Sequence, residues 1–471
     1  MAANPLPESR ENDSLIAQEH GLVRKLSERQ MSMIALGGAI GTGLFLGSAL
    51  AVRTAGPGVI LSYIFTSVIA LLLMYCLAEM AVAHPTAGSF GVYADIYLSP
   101  WAGFVVRYTY WAAQSIATGG EAVAAAIYTQ WWFPHTPTWM WVVFYSALLI
   151  AINARSVGAF GTFEYWFSTI KVSAIIVFIV LGAAILLGVH QPRPIGLQNF
   201  YAYGGFLPQG WRGVWLALAF VIFSFIGTEV VAVTAGEAED PERSVPRAMR
   251  TMLLRLIIFY VGAITVLVAV IPWTHIQPGA SVTVSPFTRV FDVMHVPLAA
   301  GVINFVVLTA ALSGMNCNLY LATRMVFSLA RSGYAPEGLG RVSRAGVPIP
   351  ALLVSAAGLG VATAAAIRFP ASAYVYMFGI ALFGGLFVWM MVFATHLSFR
   401  KRWVAQGGRA LPVRMPLFPI TTIVGGTAVL AILVSTWWVE GMRPTLQSGI
   451  PWLIALTAIY WGWARHKHTP R

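Results

Sequence analysis

About twelve apolar segments, each close to the ~20 residues that span a bilayer, recur along this chain. Approximate spans are 31–52, 58–83, 101–128, 138–154, 164–189, 213–236, 253–274, 291–330, 350–368, 373–397, 416–438 and 449–464. Backbone in hydrocarbon must satisfy its own hydrogen bonds, so such segments fold as helices. Composition agrees: 58% of the 471 residues are hydrophobic and 10% are charged, against roughly 25% charged in soluble domains. The fold class is therefore an all-α polytopic membrane protein, with the lipid bilayer as its surroundings. The eighth segment is too long for one crossing, and its start reads as a loop or a short re-entrant helix.

The net charge of +12 raises the question of nucleic acid. The charges sit mostly in short loops between apolar runs, which is the positive-inside pattern, so no nucleic-acid partner is expected. With the N-terminus inside, 20 Lys and Arg fall on cytoplasmic segments and six on external loops; Arg107, Lys171 and Arg324 lie within spans. This asymmetry implies an even number of crossings, with both termini cytoplasmic, in an inner or plasma membrane. Residues 1–30 are polar and mixed in charge, and read as a cytoplasmic tail rather than a cleavable signal peptide. Residues 465–471 read as a second cytoplasmic tail. Cys76, Cys317 and nine scattered His offer no disulfide framework and no metal spacing. Nothing in the sequence sets an oligomeric state.

The first span contains Gly37-Gly38-Ala39-Ile40-Gly41-Thr42-Gly43-Leu44-Phe45. Each glycine costs a helix about 1 kcal/mol relative to Ala. A loosened backbone in lipid is tolerated only where it faces protein or a water-filled cavity. Either these glycines permit close helix packing, or they interrupt the helix to expose backbone to a ligand. The sixth span contains Phe223-Ser224-Phe225-Ile226-Gly227-Thr228-Glu229, which repeats the Ile-Gly-Thr of 40–42. Five spans separate the two copies, so the second crosses in the opposite sense. Interrupted helices at matching places in two halves point to a transporter's midplane site.

An interrupted helix offers two tools. A half-helix starting near Thr42 presents free N–H groups and a positive dipole end, suited to a carboxylate. Half-helices ending near Ala39–Ile40 and near Phe223–Ile226 present carbonyls, suited to an ammonium. An α-amino acid carries both groups. A dinucleotide loop with these glycines would need a preceding β-strand, and a charged tail stands there instead.

Ionisable residues inside spans are rare and functional by default. A buried ammonium costs several kcal/mol unless neutralised or paired, so Lys171 is either a proton binder or a fixed tether to backbone carbonyls. Glu121, after Gly119-Gly120, is a proton carrier, a ligand for a substrate amino group, or a structural partner of Arg107 or Lys171. Glu229 reads as a group that holds helix ends or gate groups together. Phe223 opens the second break and either packs there or closes over a ligand. Glu79 and Glu164, near expected cytoplasmic ends, are most simply structural, and Arg324 is a structural or gating partner.

Longer motifs accompany these residues. They include Ala55-Gly56-Pro57 through Ala78-Glu79 to Pro85, and Ala235-Gly236-Glu237-Ala238-Glu239-Asp240-Pro241 with Ser244-Val245-Pro246-Arg247-Ala248. Ala311-Leu312-Ser313, Arg324-Met325 and Arg331-Ser332-Gly333-Tyr334-Ala335-Pro336 complete the set. With the glycine break, they resemble the amino acid permeases of the amino acid–polyamine–organocation superfamily, in its bacterial amino acid transporter subgroup. The resemblance runs from about Leu22 to Arg402.

The resemblance implies a LeuT-like five-plus-five inverted repeat: a first repeat over 31–189, an inverted second repeat over 213–397, and two peripheral helices over 416–464. It implies alternating-access transport. The substrate site would comprise Ala39, Ile40, Gly41, Thr42 and Gly43 with Phe223, Ser224, Ile226 and Gly227. Thr42 and Gly43 amides would take the carboxylate; carbonyls at Ala39 or Ile40, Phe223 and Ile226 would take the amino group. Phe223 looks like the aromatic gate, with Glu229 beside it. Lys171 matches a lysine that, in proton-coupled relatives, stands where a sodium ion sits. Glu121 matches a third-helix glutamate of the subgroup, which mostly performs proton symport.

The expected function is therefore proton-coupled import of an α-amino acid, without covalent chemistry and without a cofactor beyond the coupling proton. An exchanger on the same fold is the first alternative; a membrane nutrient sensor and a membrane-embedded transferase are others. The transferase would need paired acidic or His groups at a membrane face, and none is evident. The eighth span departs from the commonest pattern with two Asn around a Cys, in Asn316-Cys317-Asn318. That departure bears on which amino acid is carried. A neutral or aromatic substrate is expected, or a cationic one if Glu121 faces the side chain.

Overall fold

The computed structural model describes residues 26–189, 194–238, 240–276, 287, 290, 299–369, 373–408, 410–439 and 441–464. Most of the expected tail at 1–30, all of 465–471, Glu239 and the 291–298 start of the eighth segment lie outside the described residues. Among the described residues the secondary structure is helical, apart from one β-bridge between Leu26 and Ala238.

The first span is split. Helix α1 (Glu28–Ala39) begins with a capping box between Ser27 and Gln30 and stops before Ile40. A π-turn at Gly43–Gly47 and helix α2 (Ser48–Ala55) continue the crossing. Then follow α3 (Val59–Ala83), α4 (Ser89–Tyr97), α5 (Pro100–Thr129), α6 (Thr138–Arg155) and α7 (Val157–Leu186). The sixth span is split as well, into α8 (Gly210–Val221), a 3-10 turn at Ile222–Phe225 and α9 (Val230–Thr234). The remainder is α10 (Pro241–Val270), α11 (Ala299–Arg331), α12 (Ile349–Ser355), α13 (Ala357–Arg368), α14 (Ala373–Ala405), α15 (Ile420–Ser435) and α16 (Arg443–Ile459).

Nine helical stretches among the described residues are long and apolar enough to cross a membrane. One of them, Gly43–Ala83, has 41 residues, about twice what a crossing needs, and contains two crossings joined at Gly56-Pro57-Gly58. With α5 and α16 the total is about twelve. Phe144, Trp166, Val180, Leu254 and Ile258 are exposed, as side chains that meet lipid would be.

Several helices outrun the apolar segments that announced them. Helix α7 begins at Val157 rather than near 164, where the Ser156 hydroxyl accepts the Ala159 N–H. Helix α10 begins at Pro241 rather than near 253, capped by Asp240. Apolarity marks the lipid slab, whereas a cap marks the helix end. Helix α4 lies where the apolar pattern shows only a loop, and every one of its residues is buried.

Helix α5 packs against α11, α13 and α14 at the centre of the molecule. Small residues let these backbones meet. A Cβ at Gly358 would collide with the Ser115 carbonyl, and one at Gly384 with the Ala113 methyl. Close approach of this kind, rather than hydrophobic exclusion, holds helices together in lipid. It brings one face of α5 up to both broken spans.

Candidate substrate site at two helix breaks

At the first break α1 ends at Ala39, and Ile40 leaves helical geometry at φ −88° and ψ 82°. At the second, Ile226 is extended and Gly227 takes φ +107°, a conformation that glycine adopts without strain. Glu229 ties this break together. Its carboxylate accepts from the Gly227 N–H at 3.0 Å, the Tyr110 hydroxyl at 2.7 Å and the Trp389 indole at 3.3 Å.

The two breaks touch. A Cβ at Gly43 would stand 3.0 Å from Ser224 Cα and from Phe223 Cδ1, and one at Gly38 would stand 3.3 Å from the Gly227 carbonyl. Between them lies a small cavity lined by Gly38, Gly41, Gly43, Phe223, Ser224 and Ile226. Helix α5 adds Ala113, Gln114, Ala117 and Glu121; α11 adds Gly314 and Asn318; α14 adds Ala381 and Gly385. Overpacking against backbone costs about 1–3 kcal/mol. Gly43→Ala is therefore expected to lower thermal stability and, by shifting the two breaks apart, to weaken amino acid binding about tenfold or more, measured as radioligand Kd on the folded protein.

Lys171 is fully buried beneath the first break. Its Nζ donates to the Gly37 carbonyl at 2.7 Å, the Ile40 carbonyl at 2.8 Å and Ser313 Oγ at 2.7 Å. Glu164 stands 3.9 Å away and accepts from the Ser313 hydroxyl, from Ser168 Oγ at 3.3 Å and from Asn316 Nδ2 at 3.2 Å. From the sequence Glu164 is most simply structural, and its hydrogen bonds between α7 and α11 suit that role beside Lys171. Its spacing of seven from Lys171, two helical turns on one face of α7, was the signal that would have joined them.

Glu121 partners neither Arg107 nor Lys171 by hydrogen bond. Its Oε1 accepts the Thr42 N–H at 3.3 Å. Arg107 pairs instead with Asp95 of α4 and donates to Ser328 and Ser332 of the α11 end. Arg324 pairs with Glu237 through two hydrogen bonds, at 2.8 and 3.3 Å, and lies over the Tyr320 ring. Glu79 accepts from Arg400 at 2.7 and 2.8 Å and from the Met415 N–H.

Phe223 packs on Phe378 with ring centroids 3.9 Å apart, and Tyr374 is hydrogen-bonded to Thr42 Oγ1 at 3.2 Å. Both Phe378 and Tyr374 come from α14 and were not singled out in the sequence. Of the eighth-span asparagines, Asn318 lines the cavity, whereas Asn316 turns toward Glu164 and accepts from Asn153 at 2.7 Å.

Residues 30–468 match the family model described as amino acid permease. The chain belongs to the amino acid permease family. The permease is 37% identical over 452 residues to the uncharacterized amino acid permease YtnA of Bacillus subtilis (strain 168), covering 96% of this chain and 97% of that one. It is 38% identical over 429 residues to the gamma-aminobutyric acid permease of the same organism, covering 91% of each chain. To the aromatic amino acid transport protein AroP of Escherichia coli O6:H1 it is 38% identical over 443 residues, covering 93% and 96%. Among solved structures it is similar to the Eremococcus coleocola manganese transporter, with a TM-score of 0.55, 12% identity and coverage of 97% and 95%. That likeness is one of fold, and it agrees with the LeuT-like arrangement. The permease is a multi-pass membrane transporter of amino acids and not an enzyme.

Proposed function

We propose that the permease imports a neutral α-amino acid together with a proton, by alternating access around the two helix breaks. The carrying observation is Lys171, whose ammonium is seated on the Gly37 and Ile40 carbonyls. A cation at that place sets the geometry of the first break, so the charge on Lys171 bears directly on the substrate site. The Thr42 and Gly43 amides receive the substrate carboxylate. Carbonyls of Ala39, Ile40, Phe223 and Ile226 receive the amino group; a carbonyl has two lone pairs, so Ile40 can serve Lys171 and the substrate together. Phe223 closes over the ligand and Glu229 keeps the second break in shape.

The side-chain end of the cavity favours a neutral substrate. Its lining from α5, α11 and α14 is uncharged apart from Glu121, with Ala113, Ala117 and Ala381 as small apolar groups and Gln114 and Asn318 as uncharged polar ones. Glu121, the charged residue in the lining, turns one oxygen to the Thr42 amide. The relatives named above carry different substrate names at near-equal identity, so identity alone assigns none of them. The repeats are taken as 31–189 and 213–397 with 416–464 peripheral, and both termini as cytoplasmic on the strength of the charge asymmetry.

The test is uptake of each of the twenty amino acids into proteoliposomes, with and without an imposed pH gradient. An acid-outside gradient is expected to drive accumulation of one or a few neutral amino acids. Transport that requires amino acid on both sides and ignores the gradient would establish exchange instead.

A further inference from the structure

The helix that restarts at Thr42 leaves amide N–H groups without intrahelical partners, at the positive end of its dipole. A carboxylate from another helix already lies against them. Glu121, 79 positions away on α5, accepts the Thr42 N–H through Oε1. The room it occupies is made by glycines of two further elements: a Cβ at Gly41 would stand 2.9 Å from Oε1, and one at Gly314 would stand 3.0 Å from Cδ. The residue is 6% exposed, and its second oxygen, Oε2, is buried with no hydrogen-bond partner. A lining carboxylate held through Thr42 alone, with its other oxygen free, is poised to be displaced.

We infer that Glu121 is an internal stand-in for the substrate carboxylate: it holds the Thr42 amide in the empty site, and a proton must neutralise it before the substrate takes its place. This rests on the reading of the two breaks as the substrate site and specifies how proton and amino acid are linked there. Both carboxylates seek one amide end, Glu121 from a buried position, and two like charges sharing such a site do not both stay ionised. The groups facing Glu121 leave this conflict in place. Lys171 of α7 influences it electrostatically, but its hydrogen bonds go to Gly37, Ile40 and Ser313. Tyr374 of α14 and Tyr128 of α5 are neutral phenols, and the Tyr374 hydroxyl is hydrogen-bonded to Thr42. The proton therefore goes to Glu121, whose Oε2 is free to take it. Because linkage is reciprocal, the proton strengthens substrate binding by the same factor by which substrate strengthens proton binding.

Binding to the purified permease in nanodiscs, with no gradient, tests this directly. The probes are the best-transported amino acid of the twenty-member panel and the α-carboxamide of the same amino acid. For the wild type, affinity for the amino acid is expected to fall between about pH 5 and pH 8, with a limiting slope near tenfold per pH unit for one linked proton. Glu121→Gln is expected to bind the amino acid about tenfold or more tightly than wild type at the alkaline end, with little pH dependence, and to gain nothing for the carboxamide. A pH indicator in weak buffer is expected to report about one proton taken up per site on binding in the wild type, and none in the variant. Glu121→Ala, which removes the carboxylate altogether, is expected to match the Gln variant at the alkaline end and replaces it if Gln impairs folding. Weaker amino acid binding in either variant, or a pH-independent wild type, would overturn the inference. The site reading fails separately: it falls if Gly43→Ala leaves amino acid binding unchanged, whatever Glu121 does.

Discussion

Lys171→Ala is expected to abolish uptake driven by a pH gradient, a loss of about a hundredfold or more, while the protein remains folded. The substitution removes three hydrogen bonds and the charge that holds the Gly37 and Ile40 carbonyls in place. Losing about 3 kcal/mol of such interactions corresponds to a factor of roughly a hundred. Removing one partner of the buried Lys171–Glu164 pair is expected to lower stability, with the loss limited because Glu164 keeps donors from Ser313, Ser168 and Asn316. A second variant separates the two roles open to this residue. Lys171→Arg retains a cation that does not deprotonate in proteins: residual uptake that still follows the pH gradient marks a tether, and residual uptake that no longer follows it marks a proton carrier. Proteoliposome uptake with an acid-outside gradient is the measurement, with thermal unfolding as the control for folding. Unchanged proton coupling in Lys171→Ala would remove Lys171 from the mechanism.

Arg324→Ala is expected to destabilise the permease by about 3–5 kcal/mol, the usual consequence of removing one partner from a buried ion pair. The Arg324–Glu237 pair is almost fully buried and joins α11 to the chain just after the second broken span. Without the guanidinium, Glu237 retains the Tyr320 hydroxyl as a donor but has no countercharge. Pairing Arg324→Ala with Glu237→Gln is expected to recover part of the loss, because the buried charge then disappears. Thermal unfolding of the single and double variants in one detergent decides it. A loss below about 1 kcal/mol, the range of exposed pairs, would mean that water reaches the pair.

Some of this site is legible in residues near one another in the chain. The glycine break, its echo at Ile226-Gly227-Thr228 and the rarity of Lys171 in an apolar run each register locally, because lipid penalises every loosened backbone group and every charge. Pairings do not register in that way. Glu121 meets Thr42 across 79 positions, Ser313 meets Glu164 across 149, and Arg107 meets Ser332 across 225. Hydropathy shows that such groups are buried but not which helix face each presents. Neither the α11 partners of Glu164 nor Asp95 as the partner of Arg107 can therefore be read along the chain.

The sequence by itself determined a polytopic helical transporter broken at Ile40-Gly41 and near Gly227, together with its family. Bilayer thickness and backbone hydrogen bonding act on each segment independently, so they leave a readable trace in each. Only the tertiary structure decided that Glu121 lies on the Thr42 amide and that Glu164 backs Lys171. It also decided that α14 supplies Phe378 beside Phe223 and Tyr374 beside Thr42. Those contacts follow from how closely α5, α7, α11 and α14 approach the two breaks. That approach depends on small residues opposing one another across helices, as Gly358 opposes Ser115 and Gly43 opposes Ser224.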